Sequence, residues 1–134
     1  MTNWKYIKQN VSMENIYEFE ILVGATLPKS TAQFLIQYNN GRPVKKCVNT
    51  RENVARVFDK ILSFNKNDIE NAFITYENFR GEIPSNLLPI AMDPFGNYFC
   101  LDKNNEFHVV FWDVENNKIE NTGESLVDLV EHLH

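Results

Sequence analysis

The chain has 134 residues, of which 43% are hydrophobic, 13% aromatic and 23% charged, with a formal net charge of -5. That length is typical of one domain built on one core, and the composition excludes a disordered or disulfide-dense chain. No stretch approaches the roughly 18 apolar residues of a membrane span, and the first six residues lack the basic start and apolar run of a secretory signal, so a cytoplasmic location is expected.

The charge is unevenly distributed. Residues 1–40 carry three basic and three acidic side chains, residues 41–60 six and two, and residues 61–134 four and thirteen, giving local balances of 0, +4 and -9. An acidic C-terminal half repels nucleic acid and attracts a basic partner, although ordinary solubilising charge accounts for the same count. Cys47 and Cys100 share no metal-type spacing with His108, His132 and His134, and are read as buried thiols.

In chain order, Ser12 precedes Met13, Ile16, Tyr17, Phe19, Ile21 and Val23, and Gly24 follows. This is an amphipathic helix over 12–23 with a Ser cap and a Gly stop. Leu27-Pro28 starts a second helix, with Phe34, Leu35 and Tyr38 on its apolar face and Asn39-Asn40-Gly41 at its end. Alternation of Val54, Arg56 and Phe58 against Ala55, Val57 and Asp59 predicts one strand inside the basic stretch. A third helical pattern begins at Asp68 and runs through Ile69, Ala72, Phe73 and Tyr76. From Leu87 the texture changes to short apolar runs broken by turn residues, Leu87 to Met92, Asn97 to Leu101 and Phe107 to Trp112, with Lys118 to Asn121 as a short edge strand. Ser125, Leu126, Leu129, Val130 and Leu133 make a closing helix. Helices at both ends with a strand meander between them predict an α+β fold in one domain.

Catalytic signatures are sparse. His108 is the one internal base of the usual kind, and Cys100 on the neighbouring strand is its only nucleophile candidate. Both are read as structural. Asp93, Asp102 and Asp113 recur at turns, and the segment from Asp93 to Asn97 lacks the alternating ligands and terminal Glu of a calcium loop. Arg42, Lys45, Lys46, Arg51, Arg56 and Lys60 form the basic cluster; against so acidic a remainder, direct nucleic-acid binding is not expected. Phe111 and Trp112 are adjacent on a strand and therefore point to opposite faces. One enters the core under a helix layer, and the other is either covered by a second layer or exposed as an anchor for a protein partner.

Several of these features, taken in order, resemble the SUKH superfamily, the cell-wall-regulator homologues that include many bacterial immunity proteins. The residues that carry the resemblance are Ile16 to Glu20 with Val23-Gly24, Leu27-Pro28 leading into Phe34-Leu35, and Tyr38-Asn39-Asn40-Gly41-Arg42-Pro43. They continue with the block Leu88 to Leu101 around Asp93-Pro94-Phe95-Gly96-Asn97, then Phe107 to Asp113 with Glu115, and the closing segment Thr122 to Leu133. Val114 stands where the family often has His, so no role for such a His carries over.

The resemblance implies a single domain over residues 1–134, with a mixed, mainly antiparallel sheet of about six strands, two N-terminal helices and one C-terminal helix. It also implies a non-enzymatic scaffold without cofactor, metal or catalytic residues. Its expected work is to bind and neutralise a toxin domain, often a nuclease, encoded by a neighbouring gene; a regulatory adaptor of a cell-envelope or signalling pathway is the alternative, and a small hydrolase or nucleotide-binding enzyme the third. On the first reading Asp102, Glu106, Trp112, Asp113, Glu115 and Glu120 form the partner-binding surface, with the carboxylates imitating phosphates against a basic active site. The chain is then a monomer or weak homodimer, away from membranes and nucleic acid.

Overall fold

The short strand β1 (Trp4–Lys5) is followed by α1 (Met13–Val23), whose start is fixed by a reciprocal contact in which Asn15 Oδ1 accepts from the Ser12 amide at 2.9 Å. The helix stops at Gly24, in the left-handed region at φ 68°, where glycine carries no penalty. This computed structural model describes residues 3–52 and 54–134. Ile16, Phe19 and Val23 of α1 are buried, whereas Tyr17 and Ile21, expected on the same apolar face, are exposed, Ile21 by 82%. A helix on a single core has room for one stripe, and these two residues lie outside it.

α2 (Lys29–Gln37) starts one residue after the proline that sets its direction. Leu35 is buried, while Phe34 and Tyr38 form a partly covered aromatic cluster with Trp4, whose ring stacks on Tyr38 at 4.7 Å. The Asn39-Asn40-Gly41 turn does more than reverse the chain. Buried Asn39 accepts from the Phe64 amide at 2.7 Å and donates to Ser63 Oγ at 3.2 Å, and Asn40 donates to the Tyr6 carbonyl at 3.0 Å.

The basic stretch folds as β2 (Arg42–Pro43), β3 (Cys47–Asn49), β4 (Ala55–Val57) and β5 (Lys60–Ile61). β2 pairs with β1, and β4 pairs with β3 in the register Cys47 to Val57. α3 (Ala72–Phe79) begins at Asn71, whose Oδ1 accepts from the Ile74 amide at 2.8 Å, and not at Asp68. Asp68 is occupied elsewhere, accepting from Ser63 Oγ, Lys8 Nζ and Asn10 Nδ2, and the neighbouring Ile69 is 95% exposed instead of lying on a helix face.

β6 (Leu87–Met92), β7 (Tyr98–Asp102), β8 (His108–Asp113) and β9 (Lys118–Asn121) follow as the expected meander, and α4 (Leu126–Glu131) closes the fold with Ser125 Oγ accepting from the Asp128 amide at 3.2 Å. The main sheet has five strands in the order β5-β6-β7-β8-β9, every neighbour antiparallel. The fold is α+β, but the mixed sheet of about six strands is corrected to five antiparallel ones and two separate two-stranded pairs. The reason lies in residues 42–61, where the strands are two or three residues long: β2 pairs with β1, β3 with β4, and only β5 joins the main sheet.

One face of the sheet, with Leu88, Ala91, Phe99, Leu101, Val109 and Phe111, packs against the helices through Ile16, Phe19, Leu35 and Leu129. The other buries a smaller cluster, Leu87, Cys100, Val110 and Trp112, beneath Ile83 and Phe79. Both Phe111 and Trp112 are therefore covered, each on its own side.

Candidate partner-binding surface

In an antiparallel meander, successive turns alternate between the two ends of the sheet. The β6–β7 and β8–β9 turns share one end and the β7–β8 turn occupies the other. Asp113 and Glu115 fall at the first end, Asp102 and Glu106 at the second, separated by the length of β8, about 17 Å for six residues. The residues read from the sequence as one surface are thus divided between two.

Two of them are not on the surface at all. Trp112 is 2% exposed; its ring meets Phe79 edge-on at 5.0 Å and its Nε1 donates to Asn117 Oδ1 at 3.0 Å. Glu120 is 1% exposed and receives a two-pronged contact from Arg56, Nε to Oε1 at 2.9 Å and Nη2 to Oε2 at 2.6 Å. That hydrogen bonding from Arg56 outweighs desolvation and holds the Glu120 carboxyl below its ordinary range. Its register explains its burial, since Glu120 lies opposite Phe111 on the helix-facing side of the sheet. Neither side chain is presented to a partner.

The end that carries Asp113 and Glu115 is organised by its neighbouring turn. Asp93 is buried and accepts from the Phe95 amide at 2.9 Å, the Asn97 amide at 2.8 Å and Asn97 Nδ2 at 3.0 Å. Gly96 supplies the left-handed residue at φ 87°. Asn97 in turn accepts from the Val114 amide at 3.0 Å, so the tips of the two hairpins are tied together. On this fixed turn Phe95 is 78% exposed.

Beside it, Asp113 accepts from Asn116 through both side chain and backbone, and these bonds lower its pKa and keep it ionised. Glu115 is exposed, and Lys118 stands opposite Asp113 in the β8–β9 register. An exposed aromatic on a fixed turn, at the same end of the sheet as Asp113 and Glu115, is suited to docking on a basic protein surface with an apolar recess. Phe95 is legible in the sequence only as part of a turn; the signal that marks it is a large apolar residue between Pro94 and Gly96, at an apex from which no side chain reaches the core.

Elsewhere the residues considered for chemistry are otherwise engaged. Cys100 is fully buried opposite Val110, and burial pushes its thiol strongly up, whereas His108 lies opposite Asp102 and 3.7 Å from Glu106. Asp102 accepts from Asn86 Nδ2 at 2.8 Å and the Asn104 amide at 3.0 Å, shaping its own turn. Among the described residues, no group of three His, Cys, Asp or Glu side chains is placed to hold a metal ion, and no helix is long and apolar enough to cross a membrane. Four of the six cations of the basic stretch are paired internally: Arg42 and Lys46 with Asp59, Arg56 with Glu120, and Lys60 with Glu70.

Comparison with known proteins places residues 13–130 on the family model described as SMI1-KNR4 cell-wall, within the SUKH group. No curated protein matches the chain.

Proposed function

The chain belongs to the SUKH superfamily, whose members are generally non-enzymatic immunity or regulatory proteins, and from that membership we propose that it is an immunity-type protein that binds a cognate toxin domain and neutralises it by covering a basic active site, most simply that of a nuclease. All 134 residues are taken as one such domain, working in the cytoplasm as a monomer or weak homodimer, without cofactor, catalytic residues or direct contact with nucleic acid.

The observation that supports a specific surface is the display of Phe95 on the turn tied to Asp113 and Glu115. Phe95 supplies an apolar anchor, and the two carboxylates take the place of phosphates against the toxin's cations. Asp102 and Glu106, a strand's length away, add to the -9 balance of residues 61–134 that steers a basic partner inward. Trp112 and Glu120 hold the scaffold.

Co-expression with the product of the adjacent gene tests the proposal. A stable complex in which this chain relieves the neighbour's toxicity is the expected result; a neighbour that neither binds nor harms the cell sinks it. The description of the matched model as a cell-wall family favours one other reading, a regulatory adaptor. Affinity capture separates the two, since an adaptor recovers several housekeeping proteins and a dedicated inhibitor a single rare one.

A further inference from the structure

At the corner where the β1–β2 pair meets the start of β5, a recess of about 320 Å³ is lined by Lys5, Tyr6, Arg42, Val44, Lys46 and Asp59. Three cations stand there against one carboxylate, in a chain whose net charge is -5. Arg42 Nη1 and Lys46 Nζ both close on Asp59, Lys46 at 3.3 Å to Oδ1 and 3.0 Å to the backbone carbonyl, so a single negative charge serves two cations. Lys5 is exposed and directly opposite Arg42 in the β1–β2 register. Like charges that face each other across an antiparallel pair repel. With Asp59 already shared, Lys5 beside Arg42 is an arrangement that a further carboxylate relieves.

The recess is also apolar. Tyr6 is 70% exposed and Val44 53%, and neither sits on loose backbone. The Val44 amide donates to the Asn3 carbonyl at 2.8 Å. Tyr6 is in the left-handed region at φ 61°, which a bulky residue rarely adopts, and its carbonyl accepts from Asn40 Nδ2 at 3.0 Å. Asn40 is fixed in turn, its Oδ1 accepting from Lys60 Nζ at 2.8 Å. Glycine would meet the backbone demand at position 6 without strain. A tyrosine held there against its preference, with its ring in solvent beside three cations, points to a use for the ring.

We propose that this recess docks an acidic segment of a protein partner, with an apolar side chain of that segment seated between Tyr6 and Val44 and its carboxylates on Lys5, Arg42 and Lys46. Arg42 engages Asp59 through Nη1, which leaves its other donors for a second carboxylate. The surroundings favour a short peptide over a nucleic acid. The Asp59 amide donates to the Met92 carbonyl at 3.0 Å, which sets the recess at the same end of the sheet as Asp113 and Glu115. A long polyanion laid across that end meets those carboxylates, whereas a short segment confined to the corner does not. The recess needs neither Phe95 nor a toxin.

Fluorescence anisotropy of the full chain with a labelled peptide, one central phenylalanine between runs of glutamate, tests the proposal. Saturable binding is expected, weaker at high salt and weaker again when alanine replaces the phenylalanine. Lys5→Glu is expected to lower affinity about tenfold or more through charge reversal, and Tyr6→Gly about tenfold through loss of the aromatic contact. Because glycine releases the left-handed strain, Tyr6→Gly should have a urea midpoint equal to or above that of the parent, which separates lost binding from lost folding. Equal binding of a lysine counterpart of the peptide, or unchanged affinity in both variants, would overturn the proposal. So would tighter binding of a single-stranded oligonucleotide, which gives the recess to nucleic acid. Self-association of the parent that Lys5→Glu abolishes, with no peptide binding, would give it to a second copy instead.

Discussion

Arg56 on β4 closes on Glu120 of β9 with two parallel hydrogen bonds, 2.9 and 2.6 Å, and its guanidinium also lies 4.4 Å from the centre of the Phe111 ring. This one side chain joins the two-stranded β3–β4 hairpin to the five-stranded sheet. Glu120 is buried, so removing its partner, or removing Glu120 itself, leaves an uncompensated charge at the helix-facing side of the sheet. Glu120→Ala is expected to lower stability by about 3 kcal/mol, the usual cost of breaking a buried pair, whereas the double replacement Arg56→Met with Glu120→Leu recovers most of that loss. Urea unfolding of the parent and the two variants checks both expectations. Equal destabilisation by the single and the double change would mean that packing, not the unpaired charge, sets the cost.

The same pair contributes to acid sensitivity. Hydrogen bonding from Arg56 lowers the Glu120 pKa; for Asp68, desolvation raises the pKa but is outweighed by bonds from Ser63, Lys8 and Asn10, so its net shift is also downward. In the folded state each holds its proton less tightly than in the unfolded chain, so unfolding takes up protons at acid pH. Their stabilisation is complete above the ordinary carboxylate pKa of about 4 and is lost as pH falls through the lower folded values. The urea midpoint is expected to be flat from neutral pH to about 5 and to drop below it. Glu120→Gln should show a shallower drop than the parent.

What the sequence makes legible follows from how local each cause is. Lys118–Asn121 is read correctly as a strand because turn residues bracket it, and α1 ends at Gly24 because a left-handed residue is needed there. The start of α3 is misplaced because Asp68 is bound by Lys8 and Asn10, nearly sixty residues earlier, leaving Asn71 to cap the helix. Glu120 looks like surface charge for the same reason: its partner is 64 positions away. Asp113 and Glu115 are legible as acidic turn residues, but their company is not, since Phe95 has no periodicity and the bond that ties the two turns runs from a backbone amide to an Asn side chain.

Gly41 tests the junction of β1, α2 and β2. A Cβ there would stand 2.8 Å from the Tyr38 carbonyl oxygen and 2.9 Å from Trp4 Cε3. The carbonyl is backbone and the indole is stacked on Tyr38, so neither yields cheaply. Gly41→Ala is expected to destabilise by about 1–3 kcal/mol, in the range of an overpacked core, and to shift the emission of Trp4 as its ring is displaced. A melting temperature equal to that of the parent would show that this junction is free to adjust.

Phe95 and Trp112 offer the sharpest separation of surface from scaffold, because the two aromatics are close in sequence yet opposite in exposure, 78% against 2%. Trp112 fills the smaller core with Phe79 and Tyr98, so Trp112→Ala leaves a cavity and is expected to cost about 3–5 kcal/mol, enough to threaten folding of a domain this size. Phe95 touches solvent, and its turn is held by Asp93 whatever stands at position 95. Phe95→Ala should therefore change stability by less than about 0.5 kcal/mol. Against the neighbouring gene product the expected order is reversed: loss of an aromatic anchor weakens binding by about 2 kcal/mol or more, roughly thirtyfold, while charge reversal at Glu115 slows association most at low salt. Calorimetry of Phe95→Ala against a partner that binds the parent chain decides the matter. Undiminished affinity would move the interface off the paired hairpin tips, because a contact that covers those tips must bury the exposed Phe95 ring.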